Sequence, residues 1–274
     1  MTRIDWDRMG KPQADGYDTL IVEAAAHWAY GFEKQPRGEH TWLGGAVNLS
    51  DKLDPPGAGI QRAGFDHPGL AVTEQYLAQW SACYAQCQRL LQTVFPFDSP
   101  SYIGARGCFC GTGARLPGRL SQEDGAPFGE VFATLFDYVG FVEGVVHEMV
   151  HWKLHALGIH FESWDEILLS NKPTETFVSS LRKDKPRPMG AVLHAHWVCL
   201  HTLAVDLAVA PIRPAEKESD ASVVAAAVTR VLEGRESVNT GAVWTADGYK
   251  FWTGIQDWTR DLLLDAEVQF GVHV

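Results

Sequence analysis

The sequence predicts an α+β fold: a mostly helical single domain with a small antiparallel sheet, in which a helix carrying a His-Glu-x-x-His run faces a second, histidine-bearing helix. Three observations carry this expectation. From position 138 onward, apolar residues recur at helical spacing. Between 101 and 135, short runs of β-formers alternate with glycine and proline turns. The acidic loop Ala210 to Ser219 is too short to be a domain linker, so residues 1–100 read as a helical and loop-rich first part and 101–274 as the second part, bearing the His-Glu-x-x-His run, of one domain.

Composition narrows the class. Of 274 residues, 46% are hydrophobic and 21% charged, an ordinary globular balance. Acids outnumber bases 34 to 23, for a formal net charge of -11, and a generally basic nucleic-acid binder is excluded on that count. The opening residues Met1 to Asp7 contain no apolar stretch of signal-peptide type. Gly190 to Ala210 is almost free of charge, but His194, His196, His201 and Asp206 are costly in lipid, so a buried helix is expected there and no membrane partner. The five cysteines (Cys83, Cys87, Cys108, Cys110 and Cys199) match no strong zinc spacing and read as reduced, buried thiols of a cytoplasmic protein.

Along the chain, Thr19 to Tyr30 reads as a short helix with Leu20, Ala24, His27 and Trp28 on one side, and Asp54 to Gly59 as a loop. Thr73 reads as the cap of an amphipathic helix bearing Tyr76, Leu77, Trp80, Tyr84, Cys87 and Leu91, closed by Pro96 and Pro100. Short strands are expected at 102–104, 108–111 and 130–135. Helices are expected at about 138–157, 188–210, 220–233 and 247–265, with Ala210 to Ser219 as a loop.

The chemistry is carried by Val145-Val146-His147-Glu148-Met149-Val150-His151. Residues four apart on a helix differ by about 40° around its axis, so His147 and His151 share a face and can chelate one metal, with Glu148 beside them. Val142, Val145, Val146 and Val150 make the other side apolar, as a buried metal helix requires.

A third donor is needed to hold an ion firmly. His155 lies about 12 Å along the axis from His147, too far for one ion. The extended metalloprotease pattern fails, because Leu154 and Leu157 replace its glycine and third histidine. Glu162, Glu166 and Glu175 lack a helical setting, with Ser170 to Pro173 interrupting them. On the later helix, Arg187, His194 and His201 follow one another at intervals of seven and share a face, and His194 is the expected third ligand.

The blocks Val146-His147-Glu148-x-x-His151-x-Lys153-Leu154-x-Ala156-Leu157 and Pro186-Arg187-Pro188-Met189-Gly190-x-x-Leu193-His194 resemble the HExxH-domain family of ribosomal-peptide modification proteins. Gly129-Glu130-Val131 and Trp244-Thr245-x-x-Gly248 extend the likeness over roughly 129–250. The resemblance implies an iron(II)- and 2-oxoglutarate-dependent peptide β-hydroxylase acting on a precursor peptide with molecular oxygen. It implies His147, His151 and His194 as iron ligands and Arg187 as the anchor of the cosubstrate. Open positions on a facially ligated iron suit such chemistry, and the Arg187 guanidinium offers a carboxylate the bidentate geometry that lysine lacks.

Glu148 discriminates between readings. In a zinc peptidase or amidase, the alternative function, it is the general base on a metal-bound water; in an oxygenase it orients a ligand or a metal water. A third reading is a binding module for a modified-peptide precursor. Lys153 faces away from His151 and reads as a structural ion pair, and Trp152 and Trp164 as core. The glycine-dense segment Gly107 to Gly118 lacks a phosphate-loop pattern, and its Arg106, Arg115 and Arg119 are the alternative anchors for an acidic group.

Overall fold

The computed structural model describes residues 4–52, 61–98, 110–112, 127–160, 167–213 and 217–272. Among them the elements in chain order are α1 (Trp6–Met9), α2 (Tyr17–Tyr30), β1 (Thr41–Trp42), β2 (Val47–Leu49), β3 (Gln61–Arg62), α3 (Pro68–Ala78), α4 (Ser81–Leu90), β4 (Thr93–Asp98), β5 (Cys110–Thr112) and β6 (Glu130–Thr134). There follow α5 (Tyr138–Ala156), β7 (Thr176–Phe177), β8 (Arg187–Pro188), α6 (Met189–Val209), a short 3-10 turn at Ala210–Ile212, α7 (Lys217–Gly241) and α8 (Ala246–Phe270). The class is α+β and mostly helical, as expected. By its contacts the chain forms two compact units, one of residues 14–152 and one of residues 1–13 with 153–274. No linker composition marks the boundary, because it falls inside helix α5.

The unit of residues 14–152 is built on a six-stranded sheet in the order β1-β2-β4-β6-β5, with β3 also on β4. The sheet is mixed rather than purely antiparallel: β4 runs parallel to both β2 and β6, while the outer pairings are antiparallel. Central parallel strands are covered on both faces, and every residue of β6 is buried. Pro96, expected to close a helix, instead lies in the middle of β4. On that edge β2 pairs with Thr93 and Val94, and β3 with Phe97 and Asp98. Pro96 falls in the interval between them, and its carbonyl accepts from Ala63 N at 3.0 Å. Proline has no N–H to donate, and it sits on this edge where one neighbouring strand gives way to the other.

The helix expected from Thr73 is two helices. His67 caps α3, its ring Nδ1 accepting from Gly69 N, with Pro68 in the first turn. Thr73 lies inside the helix, and its hydroxyl donates back to Leu70 O at 2.9 Å. The chain breaks at Trp80, whose backbone angles (φ -115°, ψ 82°) are not helical, and α4 restarts at Ser81. On α2 the buried face is Asp18, Thr19, Val22 and Ala26. The apolar side expected from Leu20 and Trp28 is outward, with Trp28 89% exposed.

In the other unit α6 is the core helix. It is the one helix among the described residues long and apolar enough to cross a membrane, and 89% of its apolar window is buried. α7 and α8 pack against it, and α7 extends two turns beyond its expected end. Close approach is bought by glycine: a Cβ on Gly254 of α8 would press into the Asp7 carbonyl of α1, and one on Gly248 into the Leu168 carbonyl. Thr245 caps α8 by accepting from Gly248 N, and Trp244 bridges to Leu169, so Trp244-Thr245-x-x-Gly248 forms a helix start docked on a neighbouring strand segment. Cys83, Cys87 and Cys199 are buried free thiols; Cys108 lies outside the described residues, as do the expected strand at 102–104 and Arg106, Arg115, Arg119, Glu162, Trp164 and Glu166.

Two predictions follow from the packing. Gly254→Ala loses about 1–3 kcal/mol of stability by overpacking, read as a lower urea midpoint. His196 is fully buried beside Gly234 and Trp252, and burial, with Arg235 nearby, lowers its pKa to about 3. Its folded pKa is below the unfolded value near 6.5, so its stabilising neutral form is fully retained above pH 6.5 and lost as pH falls toward 3. Between pH 7 and pH 4 this group removes roughly 3 kcal/mol, and burial pushes His201 in the same direction. Urea titrations at the two pH values check this, and His196→Gln should shrink the difference.

Candidate metal centre

Helix α5 begins where Asp137 Oδ1 accepts from Gly140 N at 2.7 Å. A side-chain acceptor satisfies one of the orphan amides of a first turn. The helix is sealed along most of its length, with Phe141, Val142, Val145, Val146, Met149 and Val150 fully buried. A helix that is apolar almost all round is held by packing on several sides, which fixes the rotation at which its polar residues project.

Those polar residues converge. His147 Nε2 and His151 Nε2 are 3.0 Å apart, with ring centroids at 4.7 Å and the rings nearly perpendicular. Two nitrogens each about 2.1 Å from one ion stand about 3.0 Å apart at a right angle and about 3.4 Å apart at a tetrahedral angle. The imidazole pair is therefore already at chelating separation. Taking His147 as zero, His151 lies at about 40° and Glu148 at about 100° around the axis, one contiguous arc. A Glu148 oxygen is 3.8 Å from His147 Nε2, and donor atoms of all three residues lie within 4.8 Å of one another.

Burial grades the three. Glu148 is 1% exposed and His151 is buried, whereas His147 is 29% exposed and forms the open side of the group. Glu148 Oε2 is buried and has no hydrogen-bond partner among the described residues. A buried acceptor left unsatisfied costs about 1–3 kcal/mol, more if charged, so this oxygen calls for a cation or a bound water. Two imidazoles and a buried carboxylate are a donor set that fits a divalent transition metal.

The remaining expected site residues lie in the other unit. His194 is fully buried in α6, its Nε2 at 2.7 Å from Ile159 O and its ring 5.1 Å from that of His155; the converging group of donors does not include it. Arg187 is half-buried at the start of β8, paired with Phe177. Pro188 is the N-cap of α6. Glu175 closes a turn, accepting from Asn171 Nδ2 and Lys172 N. Lys153 is buried with Nζ 4.7 Å from the centre of the Trp197 ring. Trp152 is core, as expected, and donates to Glu130 O.

No protein-family model matches the chain, and no curated protein matches it. The functional reading therefore rests on the donors themselves. His151→Ala should abolish stoichiometric binding at this centre, and His147→Ala should weaken it by a factor of at least about 100, beyond the 10–100-fold typical of losing a supporting group; metal titration followed by elemental analysis reads both.

Proposed function

We propose that the chain is an iron(II)- and 2-oxoglutarate-dependent oxygenase that hydroxylates a side-chain (β) carbon of a ribosomally made peptide. The observation that carries this reading is the convergence of the His147 and His151 nitrogens, 3.0 Å apart, with the buried Glu148 carboxylate in the same cluster. Two histidines and one carboxylate with open positions are the donor set of non-haem iron oxygenases. In this reading Glu148 supplies the negative charge that the implied third ligand, His194, would lack.

When bound, iron(II) would let molecular oxygen act as the oxidant, one of its atoms going to the peptide and the other into succinate as 2-oxoglutarate is oxidised and loses carbon dioxide. The protein's part is positional. His147 and His151 hold the metal on one face of a helix that cannot rotate. Val146, Met149 and Val150 exclude water behind them. The exposed edge of His147 is the side on which substrate and cosubstrate arrive. Reduced buried thiols and a core-buried α6 suit a cytoplasmic setting.

A second reading is favoured by one observation, the buried Glu148 Oε2 that has no hydrogen-bond partner among the described residues. A buried carboxylate beside a metal position is also the general base of a zinc peptidase or amidase. One substitution separates the two. For the hydroxylase, Glu148→Gln weakens iron binding together with turnover; for the hydrolase, it leaves zinc in place and abolishes cleavage. In anaerobic protein supplied with iron(II) and 2-oxoglutarate, a visible charge-transfer band and, after oxygen is admitted, a peptide mass gain of one oxygen are expected. Peptide cleavage by the zinc-loaded protein, with no response to 2-oxoglutarate, would establish the hydrolase instead.

A further inference from the structure

The residues that follow α5 build one wall of a cleft. Gly158 takes a left-handed conformation, with φ at 83°. Its N–H donates to His155 O at 3.0 Å, and Ile159 N–H donates to Leu154 O at 2.9 Å, the paired bonds of a Schellman motif. The reversal sets His160 against the last helical turn, its Nδ1 2.9 Å from His155 Nδ1. His194 Nε2, 2.7 Å from Ile159 O, ties the turn to α6. His160, Leu169, Asn171, Lys172, Pro188 and Gly190 are among the residues that line the cleft, which measures about 360 Å³ with its open mouth included.

A second wall is the edge of an extended segment. Ser170 N–H donates to Val243 O at 2.7 Å and Thr245 N–H to Leu168 O at 3.1 Å. Leu169 and Trp244 are therefore an antiparallel pair bonded through their neighbours, and their own peptide groups point away from each other. The Leu169 N–H and C=O face outward from that pair, and Leu169 lines the cleft. Neither group has a hydrogen-bond partner among the described residues, although Leu169 is only 6% exposed. Buried main-chain donors and acceptors are paired almost without exception. An adjacent donor and acceptor on one strand edge match the groups that an added strand presents.

Charge selects what enters. Lys172 is the one formally charged side chain among the described residues that line the cleft, and it is exposed with no ion-pair partner among them. The Glu175 carboxylate is engaged within its own turn by Asn171 Nδ2 and Lys172 N. In a chain of formal net charge -11, a cleft whose single formal charge is positive favours a carboxylate. The geometry points to this cleft as a docking groove for an extended peptide segment that carries an acidic side chain, its main chain pairing with Leu169 and its carboxylate meeting Lys172. Resting on the reading of the substrate as a peptide, the groove adds a preference for an acidic, extended stretch of it and uses none of the proposed metal donors.

Fluorescence anisotropy of the full-length protein with a labelled seven-residue peptide alternating valine and glutamate tests this. Saturable binding is expected, and hydrogen exchange over residues 167–172 should slow when the peptide is present. Methyl groups on the valine nitrogens of the peptide remove its main-chain donors and should abolish binding. Lys172→Glu, at an exposed position, should weaken binding about 5-fold or more at low salt. A peptide with lysine in place of glutamate should gain by about the same factor on that variant. Absence of saturable binding, or binding indifferent to both the methyl groups and Lys172→Glu, overturns the groove. A His147→Ala/His151→Ala variant should bind the peptide as the wild type does, and loss of binding there moves the peptide to the metal centre and overturns the groove as well. If the peptide docks as expected but no peptide gains oxygen with iron(II) and 2-oxoglutarate, the oxygenase reading fails while the groove stands.

Discussion

The proposed chemistry depends on two imidazoles being one helical turn apart on a helix packed on several sides. The spacing is covalent and belongs to the sequence, but the direction in which the pair points is a property of packing. Valine and methionine side chains occupy the remainder of the α5 surface around His147 and His151, and all are buried. Turning the helix by even the 40° between the two histidines would drive Glu148 or the imidazoles into apolar surroundings and bring valines to the open side. The apolar faces thus fix the direction in which the imidazole pair points.

The second constraint is the position of charge. A carboxylate buried to 1% exposure, with one oxygen unpartnered among the described residues, is unfavourable by itself. It persists because the surrounding helix is fixed by many other contacts, and a local cost retained in this way is a mark of functional positions. Both proposed chemistries use this same feature. They differ in whether Glu148 contacts the metal directly or acts on a water beside it.

What was legible in the sequence follows a simple physical division. Helices α5, α6 and α8 were readable because their periodic patterns run for many turns, and His147, Glu148 and His151 were readable because their mutual geometry is internal to one helix. The strands β1, β2 and β3, two or three residues each, carry no pattern long enough to detect. Pro96 pointed away from a strand because its compatibility with β4 depends on where β2 stops and β3 begins, a relation between distant segments. The break at Trp80 divides a continuous apolar pattern without a proline or glycine to mark it. The partnership of His155 with His160 requires the left-handed turn at Gly158, and the neighbourhood of His194 depends on how α6 packs in its own unit. Neither leaves a signature in spacing alone.

The short helix α1 lies at the start of the chain yet completes a unit made otherwise of residues beyond 152, closing on Gly254 of α8 and receiving, at Gly10 O, the indole N–H of Trp197. During synthesis, the intervening 139 residues of the other unit, 14–152, emerge whole and can fold before the ribosome has made what α1 needs. The opening segment must therefore wait, unpaired, until nearly the last helix is translated. Removal of those few amino-terminal residues would expose the tryptophan-lined seam of the far end of the polypeptide, an effect felt some two hundred and fifty positions away.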